Sequence, residues 1–127
     1  MPGFELFGAE EKKEVNDVLE TGILMRYGFD GPRKGIWKSK ELEAAVCSTF
    51  GSAYAQLTSS GTAALTTAMA ALGVGAGDEV IMPAFTFVAS FEAILSMGAI
   101  PVLVDIDESL TLSPAAVKAA ITPKTKC

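Results

Sequence analysis

An α/β fold, a mainly parallel sheet with flanking helices, is what the sequence predicts, and three observations predict it. From Tyr54 onward, short apolar runs alternate with segments of helical period. The intervening segments are long enough to act as helical crossovers between parallel strands. One apolar run, Pro101 to Val104, lacks polar alternation, as expected of a strand buried on both faces. With 127 residues, 50% of them hydrophobic and only 20% charged, the chain has the apolar content to form a core and is unlike a disordered segment. That length matches about one domain at roughly 100 to 200 residues each, so an ordinary two-domain enzyme is not expected within it.

The elements follow in order. Val15, Val18 and Leu19 recur at helical spacing over residues 9 to 20 behind a charged run, and Thr21-Gly22 supplies the stop. Residues 22 to 38 read as an irregular arm, broken by Gly22, Gly28, Gly31, Pro32 and Gly35. Leu42, Ala45, Val46 and Phe50 then line one face of a helix that Ser39 can cap and Gly51 can end. Tyr54 to Thr58 reads as a strand, Ser59-Ser60-Gly61 as a tight turn and Thr62 to Leu72 as an alanine-rich helix closed by Gly73. A strand from Glu79 to Met82 leads through a loop at Pro83-Ala84-Phe85-Thr86 into a helix ending near Met97, with Gly98 after it. Ser113-Pro114 combines an N-cap with proline at the first helical position and starts a last helix through Ala120. Thr122 to Lys126 has the character of a helix-to-strand connection, so the architecture reads as interrupted at Cys127.

Composition narrows the function classes. The formal net charge is -5 and the pI near 4.6, which argues against general nucleic-acid binding. No histidine is present, which removes the commonest general base and zinc ligand and the usual serine or cysteine triads. Cys47 and Cys127 make neither a disulfide framework nor a metal knuckle, and no metal site is expected; a reduced, cytoplasmic setting is. Between Val80 and Val104 the single charged residue is Glu92, yet Pro83, Gly98 and Pro101 divide the stretch into pieces shorter than the roughly 20 residues of a membrane span. The start, Met1-Pro2-Gly3-Phe4-Glu5, lacks the basic and apolar regions of a signal peptide.

Three segments are candidates for chemistry. At Leu57-Thr58-Ser59-Ser60-Gly61-Thr62-Ala63-Ala64-Leu65 an expected strand hands over to small hydroxyl residues, a glycine and a helix start. Unpaired N–H groups and the positive end of the helix dipole converge there, which suits a phosphate; a simple capped helix start is the plainer reading. Phe85 and Phe87 follow the next expected strand, where either can offer a flat face to a planar ring or simply fill core. The arm from Arg26 to Lys40 carries five basic residues against the single acid Asp30. Arg26 there is a bidentate anion candidate and Tyr27 or Trp37 a sugar platform, unless the arm is only a solvated loop. Gly73-Val74-Gly75-Ala76-Gly77 follows a helix and precedes a strand, the reverse of a dinucleotide fingerprint, so it is read as a stop and turn and a nicotinamide-dependent oxidoreductase is not expected.

Four separated segments, taken together, resemble the N-terminal part of the DegT/DnrJ/EryC1/StrS aminotransferases. They are Ser59 to Leu65, Gly75 to Ala89, Gly98 to Asp107 and Ala120 to Lys126. The opening Pro2 to Gly8, with Gly22 to Gly28, is closer to a branch acting on octulosonate-type sugar acids. The resemblance implies the large domain of a fold-type I pyridoxal-phosphate (PLP)-dependent transferase that aminates a keto-sugar, nucleotide-linked or a sugar acid, as a homodimer with an amino donor. It divides the chain into residues 1–52, helices and a basic substrate arm, and residues 53–127, an incomplete cofactor-binding domain. It places the cofactor phosphate at Gly61, Thr62 and Ala63, the pyridine ring against Phe87 with Phe85 in the core, and the substrate near Arg26 and Tyr27.

In such enzymes the Schiff-base lysine and the aspartate that pairs with the pyridine nitrogen come after the segment matching Thr122 to Lys126. Lys118, Lys124 and Lys126 match neither position, so no catalytic residue is assigned within this chain. The expectation is therefore an N-terminal fragment that is inactive alone, prone to aggregate or pair through its uncovered sheet. The alternative is a non-catalytic binding or regulatory module that retains only the phosphate half-site.

Overall fold

A computed structural model describes residues 3–127, so Met1 and Pro2 of the opening segment lie outside the described residues. The chain forms two compact units, one closing at Leu57 and one spanning Thr58–Cys127.

The first unit is helical. After a short 3-10 turn at Phe4–Leu6 comes α1, Ala9–Thr21. Its start is held by Glu11, whose carboxylate accepts from Gly8 N–H at 2.7 Å, and its end by Gly22 in the left-handed region at φ 67°. The arm contains a single turn, α2 at Asp30–Arg33, that its glycines and proline did not announce. The third helix, α3, spans Lys38–Phe50 and ends on Gly51 at φ 67°. Trp37, not Ser39, occupies its N-cap: Trp37 C=O accepts from Glu41 N–H, and Glu41 Oε1 takes Trp37 N–H, which draws the helix start forward and leaves Ser39 inside the first turn. Lys38 Nζ lies 2.6 Å from Glu14, 3.4 Å from Glu41 and 3.7 Å from Asp17, tying α3 to α1.

The second unit carries the sheet. Helix α4, Gly61–Ala71, is followed by β1 at Glu79–Pro83, α5 at Val88–Ser96, β2 at Ile100–Val104 and α6 at Pro114–Ala120. Strands β1 and β2 pair in parallel with Val80 opposite Pro101 and Met82 opposite Leu103, joined by α5 as a crossover. Pro101 is tolerated because β2 is an edge strand. Val80 and Met82 point from β1 into a core with Met69, Val74, Ala93, Ile94 and Ala99, against which Phe91 and Met97 pack. Gly73 (φ 72°) and Gly77 (φ 89°) stop α4 and turn the chain into β1, with Gly75 N–H donating to Asp78 at 2.9 Å. Ser113 caps α6 by accepting from Ala116 N–H.

Three expectations about the strands are corrected. Tyr54 to Thr58 forms no strand; Tyr54 is 91% exposed, and this stretch lies outside the sheet. Strand β2 is not buried on both faces, because α5 and α6 leave Ile100 and Leu103 about half exposed and only Val104 is buried. Residues 124–127 do more than lead to a strand, for they already run parallel beside β1. Glu79 N–H donates to Lys124 C=O, Lys126 N–H to Glu79 C=O and Ile81 N–H to Cys127 C=O, all at 2.8–2.9 Å. β1 is thus the central member of a three-stranded arrangement. Among the described residues no helix is long and apolar enough to cross a membrane.

Candidate functional site

The candidate phosphate cradle lies at the start of α4. Ser60 is extended (φ -162°, ψ 163°) and its Oγ accepts from Ala63 N–H at 3.1 Å, while its carbonyl accepts from Ala64 N–H. Thr58 Oγ1 donates to Ser60 C=O at 2.9 Å and stiffens the approach. The Ala63 donor is therefore engaged by the cap, and the N–H groups of Gly61 and Thr62 are left with no acceptor among the described residues. Gly61 adopts an ordinary negative φ, and a Cβ built on it would meet nothing within 4 Å. Neither backbone conformation nor a neighbour in the chain demands glycine here. A ligand drawn close to the backbone supplies a physical reason for it.

Phe85 and Phe87 lie in the loop that leaves the carboxyl end of β1, where Ala84 N–H is anchored on Val104 C=O at 2.9 Å. Phe87 is the N-cap residue of α5 and 77% exposed. The expectation that Phe85 fills core is corrected, since it is 66% exposed and α5 supplies Ala93 and Ile94 to the core instead. Gly61, Thr62 and Ala63 on α4 and Phe87 on α5 thus belong to the same unit, at the N-terminal ends of two helices that pack on one another.

Arg26 and Tyr27 belong to the first unit. One Arg26 guanidinium nitrogen donates to Glu43 Oε1 at 2.6 Å and to Gln56 Oε1 at 3.2 Å. The same Glu43 oxygen accepts from Leu57 N–H at 2.8 Å, and Gln56 Nε2 donates to Leu57 C=O. Arg26 is therefore not a bare cation awaiting an anion; its charge is compensated by Glu43, and its remaining donors are what a ligand can use. Tyr27 is 72% exposed. Sequence reasoning missed Glu43 and Gln56, which lie 17 and 30 residues from Arg26 and stand in no motif.

The Leu57 N–H first, and then the Arg26 guanidinium, hold the Glu43 carboxyl below its ordinary value of 4.5. A group depressed in the folded state contributes stability that is present above its unfolded pKa and lost as pH falls through the folded one. The arm is accordingly expected to stay in place at neutral and mildly acidic pH and to loosen only below about pH 4.5. Glu43→Gln should reduce the acid dependence of unfolding in urea. An unchanged acid limb in that variant would refute it.

Among the described residues no group of three or more His, Cys, Asp or Glu is arranged to hold a metal ion.

Residues 6–127 match the profile of the DegT/DnrJ/EryC1/StrS aminotransferase family. Solved structures agree. The 3-amino-5-hydroxybenzoic acid synthase superposes with a TM-score of 0.87 at 37% identity, covering 98% of this chain and 31% of its own. S. venezuelae DesV gives 0.80 at 34% identity, covering 91% and 29%. A GDP-4-keto-6-deoxymannose-3-dehydratase, solved with a trapped PLP-glutamate geminal diamine, gives 0.76 at 28%, covering 94% and 30%. The chain thus spans about three-tenths of the length of each of these proteins.

Proposed function

The chain belongs to the DegT/DnrJ/EryC1/StrS aminotransferase family, and from that premise we propose that its residues form the N-terminal part of a PLP-dependent enzyme that aminates a keto-sugar. The observation that carries the reading is the pair of free N–H groups on Gly61 and Thr62, with open space where a Gly61 side chain would stand. They fit the phosphate of the cofactor, with the Thr62 hydroxyl as a further donor and the Ala63 N–H, shared with Ser60, beside them. Phe87 offers its exposed ring to the pyridine. Held there, pyridoxal phosphate would supply the electron sink that the transfer of an amino group from donor to keto-sugar requires.

The chain's own residues bind and orient. The main-chain donors at the start of α4 fix the cofactor's phosphate end, Phe87 limits its tilt, and Arg26 with Tyr27 supplies donors and an aromatic face to the sugar. Because Glu43 balances the charge of Arg26, hydroxyl and carbonyl oxygens suit those donors as well as a carboxylate does. The reading carries with it a homodimer in the cytoplasm. Large apolar residues left exposed in both units, such as Phe50 at 79% and Leu103 at 57%, support burial against further protein.

The test takes the complete protein that carries these residues. L-Glutamate should convert bound cofactor to its amine form, read by absorbance, and a nucleotide-linked 4-keto-6-deoxyhexose or a keto-sugar acid should restore the aldehyde form. Failure of glutamate and of both sugar classes would refute the reading. Phe87→Ala should weaken cofactor binding about three- to tenfold, the equivalent of roughly 0.5–1.5 kcal/mol of ring stacking. Phe85→Ala should change it by less than about twofold on the same scale. Both side chains are largely exposed, so neither change is expected to unfold the protein, and equal cofactor affinity in the two variants would count against Phe87.

A further inference from the structure

We infer that Arg33 is a positioning residue that sets the conformation of Arg26–Tyr27, an inference resting on the reading of those two residues as part of the substrate site. Arg33 is the one buried charged side chain among the described residues, 4% exposed. Its Nε donates to Gly28 C=O at 2.9 Å, and a terminal guanidinium nitrogen donates to Met25 C=O. These two carbonyls bracket Arg26 and Tyr27, so a single planar fork grips the chain on either side of the dipeptide. The guanidinium carbon lies 4.4 Å from the ring centroid of Trp37, which provides a flat apolar support, and Lys40 Nζ approaches the same ring at 3.5 Å.

The rest of the arm is arranged around this grip. Phe29 (φ 61°) and Lys34 (φ 52°) are both in the left-handed region that side chains other than glycine seldom adopt, and they flank the turn that carries Arg33. Ile36 N–H donates to Arg33 C=O at 2.9 Å and closes the far side. With its backbone held, Arg26 reaches Glu43 and Gln56, and the Tyr27 ring is left exposed at 72%. No backbone hydrogen bond of regular secondary structure involves residues 23–28, so the fork does for this loop what a strand ladder does elsewhere. Lysine keeps the charge but lacks the fork and cannot grip both carbonyls in this way.

The experiment compares the wild-type complete protein with Arg33→Lys, Arg33→Met and Trp37→Leu. Limited trypsinolysis reads the bond after Arg26, with the bond after Lys12 in α1 of the same unit as an internal reference. Arg33→Lys should speed cleavage after Arg26 about tenfold relative to the reference, because local opening and not global unfolding governs it. Trp37→Leu should give a smaller acceleration in the same direction. In turnover, with a nucleotide-linked 4-keto-6-deoxyhexose or a keto-sugar acid as probe, Arg33→Lys should raise KM for the sugar. It should leave kcat and the half-reaction with L-glutamate unchanged. Acceleration at both bonds alike in the Arg33 variants, the mark of a residue that only holds the fold, would overturn the inference, as would unchanged cleavage after Arg26 or an unchanged sugar KM. If the wild type turns over neither sugar, the functional reading fails while the cleavage ratio still decides whether Arg33 holds the loop.

Discussion

The 127 residues by themselves are expected to show no transaminase activity, and borohydride treatment in the presence of pyridoxal phosphate should leave no stoichiometric cofactor on any lysine. Transamination needs a lysine that both carries the cofactor and moves a proton, and an acid that keeps the pyridine nitrogen protonated. The lysines of the second unit are Lys118 in α6 and Lys124 and Lys126 in the terminal run. Lys124 C=O and Lys126 N–H pair with β1, and on the family resemblance none of the three lysines is expected to take the Schiff-base position. Intact mass after borohydride reduction is the measurement. One retained cofactor per chain would overturn the expectation and favour an active site complete within these residues.

Ile94→Ala should have the largest effect on folding. Ile94 is 3% exposed, next to the fully buried Ala93, and lies on α5 within the core formed with Val80 and Met82 of β1. Removing a buried branched side chain costs about 2–5 kcal/mol, the lost transfer free energy plus that of the cavity. A unit of this size has a total stability of the same order, so the second unit should unfold cooperatively at markedly lower urea in this variant. Leu72→Ala, at a residue 59% exposed, serves as the control and should shift the midpoint little. Equal shifts in the two variants would show that this core is not what holds α5 on the sheet.

Much of the fold is legible in the sequence, because the signals concerned are local. The left-handed glycines that end α1 and α3, the Ser113-Pro114 start of α6 and the turn at Gly73–Gly77 each involve residues within a few positions of one another. The start of α4 at Gly61, with Ser60 before it, is equally local, which is why the candidate cradle is visible at all. Apart from the cap of α3 and the turn α2, which are local, the errors concern contacts at a distance. The apolar character of Tyr54 to Thr58 suggests a strand, yet a strand exists only where a neighbour accepts its hydrogen bonds, and here Leu57 N–H goes to a side chain of α3. The apolar run of β2 suggests burial on both faces, yet burial depends on what covers the sheet.

By itself, then, the sequence determines the starts of α4 and α6, the glycine stops of α1 and α3, the turn into β1, and the order of short motifs by which it resembles its family. Those properties follow from backbone preferences and short-range hydrogen bonds that each residue carries with it. Only the tertiary structure decides that Arg26 is charge-compensated by Glu43 and that Arg33 grips the carbonyls of Met25 and Gly28. It alone decides, too, that Phe85 stays outside the core and that residues 124–127 join β1. The physical reason is that a side chain's partner is set by where the folded backbone delivers it. No short stretch of sequence encodes that a carboxylate 17 residues away will stand 2.6 Å from a guanidinium.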